Sequence, residues 1–131
     1  MPFRTSATAV IGIFLALLFA AGASFAQDET VETAEKLMFG QLDALKKGDY
    51  LAFVQNGNNA FKQFMDEYTF DSFKMQRGAK LAKGYRLEYL GGIRRIGMRK
   101  HLWKVHITGD KYQLFGSLSL SRGKVVGFNL E

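Results

Sequence analysis

The chain has no cysteine and only two histidines, and each shortage removes a class of chemistry. Without cysteine there are no disulfides, no thiolate nucleophile, no cysteine-based zinc site and no lipid-modified N-terminal cysteine. Stability must therefore come from an ordinary hydrophobic core. Two histidines five residues apart cannot grip one ion when both lie in a strand, because an odd separation sends His101 and His106 to opposite faces. No G-x-S-x-G elbow and no phosphate-cradling glycine loop occurs, since the glycines at 91, 92 and 97 fit neither pattern. The sequence therefore names no catalytic residue, no metal and no cofactor.

The longest apolar run, from Ala9 to about Ala21, is about 13 residues, short of the roughly 20 a membrane-spanning helix needs. It follows Arg4 and precedes small residues ending Ser24-Phe25-Ala26, the order of a secretory signal cleaved near Ala26. The expectation is an exported protein, periplasmic or secreted, with no transmembrane span in its mature chain. Residues 27–131 are then enough for one domain with a single core.

Acidic residues are scarce in the second half. Residues 27–71 hold nine acids against four bases, and residues 72–131 hold three acids against thirteen bases. Such asymmetry fits either two halves that fold against each other or a C-terminal half that meets an anionic partner.

The apolar spacing predicts helices first. Val31, Ala34, Leu37, Met38, Leu42 and Leu45 draw one stripe, with acids at its start, Lys46 and Lys47 at its end, and Gly48 as the stop. Asp49 caps a short second helix through Val54, and Asn58 or Asn59 caps a third carrying Ala60, Phe61, Phe64 and Met65 on one face. A fourth is expected from Ser72 toward Lys83, capped by Asp71 and interrupted by Gly78.

After Gly84 the period falls to two. Tyr85, Leu87 and Tyr89 alternate with Arg86 and Glu88, and a turn falls at 95–97. His101, Trp103, Val105 and Ile107 mark a second strand; Tyr112, Leu114, Leu118 and Leu120 a third; Val126, Phe128 and Leu130 the inward positions of a fourth. Short connections make these a four-stranded antiparallel meander, with glycines at bulges that bend it. The fold class is α+β, with the helices packed on one face of a curved sheet.

With that element order, AlaLeuLysLysGlyAspTyr (44–50), GlyTyrArgLeuGluTyrLeuGly (84–91), LeuTrpLysVal (102–105) and GlyLysValValGlyPhe (123–128) resemble small exported members of the nuclear transport factor two-like, cystatin-like superfamily. The resemblance implies a cone, a bent sheet wrapped around a long first helix. Some relatives of the ketosteroid-isomerase and polyketide-cyclase types use buried acids and a tyrosine inside it. Those residues have no counterpart here, since the first helix carries no tyrosine and the inward strand positions carry no acid.

Aromatic residues are dense between Tyr50 and Phe73. Most fit a core at helical spacing; the sharper expectation is a cone mouth that admits a small apolar ligand, lined by Phe61, Phe64, Tyr68, Tyr85, Tyr89, His101 and Trp103. Arg94, Arg95, Arg99 and Lys100 cluster at the first hairpin turn and suit an anionic surface. Nucleic acid is not expected, because no aromatic interleaves with these bases. Leu102, Phe115 and Val125 among polar neighbours on the outward sheet face suggest a homodimer through the sheet. The reading reached from sequence is an exported, non-enzymatic binding or interaction module. The alternatives are an isomerase-like or cyclase-like enzyme using Asp66 and His101, and a basic module adhering to anionic envelope surfaces.

Overall fold

The computed structural model describes residues 30–131, beginning where the sequence places its first helix. The expected export signal and its expected cleavage position lie outside the described residues. Helix α1, Val31–Lys47, starts because the Thr30 hydroxyl accepts the Thr33 N–H at 3.1 Å, and it ends where Gly48 turns left-handed at φ 72°. Its buried stripe is Ala34, Met38, Gln41, Leu42, Ala44 and Leu45.

Three short helices follow, each opened by a side-chain cap. Asp49 accepts from Ala52 N–H before α2, Tyr50–Val54. Asn58 accepts from Phe61 N–H before α3, Asn59–Phe64. Asp66 accepts from Thr69 N–H before α4, Glu67–Phe73. The fourth helix therefore begins earlier than its expected Asp71 cap, because Asp66 offers a carboxylate to the first turn and Asp71 falls inside the helix. It continues through a π-helical turn, Lys74–Gly78, into α5, Ala79–Leu81. Gly78 belongs there for a packing reason: a Cβ at this position would lie 3.1 Å from the Leu45 carbonyl oxygen at the end of α1.

The strands are β1, Tyr85–Arg95; β2, Met98–Ile107; β3, Leu114–Ser121; and β4, Lys124–Leu130. They form one four-stranded antiparallel sheet in sequence order, the meander read from the chain. Tyr112 lies outside β3 and is exposed. The register slips at Tyr89/Gly91 in β1 and at Ser119/Leu120 in β3. A bulge inserts an extra residue and re-aims the side chains beyond it.

That second slip corrects the reading of β4. Phe128 pairs with Leu118 and Leu130 with Gly116 on the helix-covered face, but Leu120 pairs with Val125 where strict alternation would bring Val126. Val125 is accordingly 0% exposed, and Val126 is half-buried. The Asn56–Asn58 loop also covers this edge: Val125 donates to the Asn56 carbonyl at 2.8 Å and accepts from Asn58 N–H at 3.0 Å. Val125 is therefore core and not part of an outward dimer patch.

The core lies between α1, the short helices and the inner sheet face. Phe53 sits at its centre, meeting the rings of Phe61, Phe70 and Phe128. Arg77 Nε donates to the Leu130 carbonyl at 3.1 Å and ties the π-helical turn to β4.

Candidate functional site

The expected pocket residues separate into three groups. Phe61 is buried at 3% exposure and belongs to the Phe53 cluster. Phe64 and Tyr68 are 73% and 85% exposed and line nothing in the interior. Tyr68 misses because a new helix starts after Asp66 and resets the period, whereas Phe64 is the last residue of α3 and faces away from the core at that helix end. Tyr85, Tyr89, His101 and Trp103 share the inner face of β1 and β2, the face their alternation predicts.

Register explains how these four assemble. Tyr89 pairs with Trp103 and Tyr85 with Ile107, so their side chains project from one face, while His101 lies two residues from Trp103 on that same face. Tyr89, His101 and Trp103 form a triangle of rings with centroids 5.5, 5.8 and 5.9 Å apart. The Tyr89 hydroxyl and His101 Nδ1 are hydrogen-bonded at 2.9 Å. Tyr85 meets Phe39 of α1 at 6.0 Å, and burial pushes its phenol up to about 12.

The bulge after Tyr89 brings Gly92 opposite His101. A Cβ on Gly92 would lie 3.0 Å from the Tyr89 hydroxyl, 3.3 Å from Arg99 Nε and 3.5 Å from His101 Nδ1. Three polar atoms therefore gather about a position on this strand where no side chain intrudes. Arg94 pairs with Arg99 on this same face, placing two cations directly opposite each other, an arrangement unfavourable by itself.

Three buried donors find no hydrogen-bond partner among the described residues: Trp103 Nε1, Gln41 Nε2 and Arg99 Nε. Sequence reasoning named Trp103 as a pocket residue and Arg99 as an anionic-surface contact, and missed Gln41. The one signal for Gln41 was a polar residue standing inside the apolar stripe of α1. From β1 to β4 the inner face carries no carboxylate, because Glu88 pairs outward with Lys104 and holds His106 Nε2 at 2.9 Å. That hydrogen bond is the first cause holding the Glu88 carboxyl below its usual range.

Asp66 is exposed, and its carboxyl is held below the usual range chiefly by the Thr69 N–H it caps. A general base needs its pKa raised toward neutrality by burial, so Asp66 has the opposite character. Among the described residues no three of His, Asp and Glu gather to hold a metal ion, and no helix is long and apolar enough to cross a membrane.

On the outer face Phe115 is 38% exposed and Leu102 half-buried, so two of the three residues expected at a sheet interface do stand there. The expected basic cluster divides by register. Arg94 and Arg99 are on the inner face, Arg95 and Lys100 on the outer.

No family model matches the chain, and no curated protein matches it in sequence. Among solved structures it is similar to an NTF2-like protein of unknown function from Cytophaga hutchinsonii, with 11% identity over 79% of this chain and 92% of the other, at a TM-score of 0.40. It is also similar to an uncharacterized cystatin-fold protein from Novosphingobium aromaticivorans, with 13% identity over 76% of this chain and 95% of the other, at a TM-score of 0.39. At TM-scores of 0.40 and 0.39 neither likeness carries an argument about this chain.

Proposed function

We propose that the chain is an exported, non-enzymatic binding module that holds a small, largely apolar molecule against the inner face of β1 and β2. The observation that carries this reading is the pair of buried donors Trp103 Nε1 and Arg99 Nε on an inner sheet face without a carboxylate, with a third buried donor, Gln41 Nε2, in the stripe of α1. A buried donor left unpaired costs about 1–3 kcal/mol, so a ligand that brings an acceptor recovers what the fold forgoes. The aromatic triangle supplies the apolar wall, and the ligand is therefore an apolar body bearing at least one oxygen acceptor. The enzyme alternative loses its base with Asp66, and the face that would hold substrate offers no other carboxylate.

Trp103 is the chain's only tryptophan and lies in this wall, so it reports directly on occupancy. Native mass spectrometry of the exported form is expected to show a co-purifying adduct. Adding the recovered compound back to stripped protein is expected to shift Trp103 emission, less so in Arg99→Met and Tyr89→Phe. An adduct that leaves Trp103 emission unchanged, or a bare chain from every preparation, contradicts the reading.

A further inference from the structure

The far end of the β1–β2 hairpin projects a surface that the ligand site does not use. Its loop is Ile96-Gly97, closed by the pair Arg95 and Met98. The Ile96 side chain is fully exposed at the apex, with Ile93 and Leu90 exposed behind it. A single exposed isoleucine is ordinary on a protein surface. What sets this one apart is the charge around it and the rigidity beneath it.

Arg94 and Arg99 lie on one face of the hairpin and Arg95 and Lys100 on the other, so bases surround the apex on both sides. A hairpin lying flat on a polyanion would use bases on one face alone. A hairpin entering an interface apex first would use both. Between Glu88 and Asp110 the chain contains no acid to offset this charge. The apex is also held: the Ser121 hydroxyl donates to the Gly97 carbonyl at 2.6 Å, anchoring the turn to the end of β3. Ordering the tip on contact therefore costs little entropy.

We propose that this hairpin tip docks on an anionic lipid surface, with Ile96 entering the headgroup boundary and Arg94, Arg95 and Lys100 lying among the headgroups. Lipid fits better than a soluble polyanion because a polyanion gives the apolar apex nothing to enter. Each base near an anionic bilayer strengthens binding roughly fivefold, and the attraction is screened by salt.

The test uses the chain from Gln27 onward, which carries every described element and omits the apolar run at 9–21 that would bind lipid by itself. It is sedimented with vesicles of phosphatidylcholine alone or of phosphatidylcholine with phosphatidylglycerol. Binding is expected only to the mixed vesicles and is expected to fall as salt is added. Arg95→Gln with Lys100→Gln should weaken it roughly thirtyfold, and Ile96→Ser roughly tenfold. Neither change touches the buried core, so melting temperatures should match the parent and exclude unfolding as the cause. Equal binding to neutral vesicles overturns the proposal. So does an Ile96→Ser variant that binds like the parent while the charge variant does not, because the tip would then be reading charge alone.

Discussion

Strand β3 and strand β1 differ more in what covers them than in the residues that build them. Five of the eight residues of β3 are buried, whereas none of the eleven in β1 is, although β1 contributes two tyrosines, two leucines and an isoleucine. The boundary is visible along β2, buried at His101, Trp103, Val105 and Ile107 and only half-buried from Met98 to Lys100. Burial in this sheet is decided by the reach of the helices. The covered part carries the stability, and the uncovered arm is left free to present side chains to something else.

The sharpest test sets one residue from each part side by side. Trp103→Ala removes a fully buried indole and is expected to cost about 3–5 kcal/mol. Ile96→Ser at the exposed apex should change stability by less than about 0.5 kcal/mol. Urea unfolding of both variants measures the contrast, and similar losses would mean that the arm is part of the cooperative core.

Gly78 tests whether helix-to-helix contact sets that reach. Its Cβ would press on the backbone carbonyl of Leu45, which cannot swing aside as a side chain can. Gly78→Val is expected to cost about 1–3 kcal/mol, despite removing a poor helix former. If thermal unfolding shows Gly78→Val as stable as the parent, the α1 terminus is not fixed by this contact.

How much of this was legible beforehand depends on the same boundary. Strand β2 alternates strictly where it is covered, so its inner positions could be read from His101 to Ile107. Element order and meander topology were legible because Gly48, Gly84 and the turn at 122–123 punctuate the chain. Alternation failed at Val125 because a bulge leaves no mark distinct from an ordinary valine pair. Tyr68 failed because a helix break at Met65-Asp66 carries neither glycine nor proline. The orphaned donors were not legible at all, since a missing partner is a property of packing and not of spacing.

Tyr85 lies at the edge of cover, half-buried, and separates the two regions by pH. Its folded phenol ionises near 12 instead of the ordinary 10.0, because burial disfavours the anion. A group whose folded pKa is raised contributes fully below its unfolded pKa. That contribution is therefore intact below pH 10 and lost as pH rises toward 12. Tyr85→Phe should flatten this part of the stability profile while leaving neutral pH nearly unchanged. Alkaline titration followed by tyrosinate absorbance and by circular dichroism checks both statements.

The smallest effect is expected at the other hairpin, between β3 and β4, where Arg122 and Gly123 both have positive φ, 51° and 76°. Two left-handed residues between paired Ser121 and Lys124 make the turn whose twist suits a two-residue hairpin. Glycine and asparagine adopt that conformation readily and arginine does not. Arg122→Gly relieves the strain but makes the unfolded chain more flexible, so the net gain is about 0.5 kcal/mol at most. Arg122→Asn avoids the flexibility and should gain slightly more. If thermal melts place both variants below the parent, the Arg122 side chain contributes a contact on the covered side of the sheet that outweighs its backbone strain, and the division between covered and uncovered hairpins would have to be redrawn at this turn.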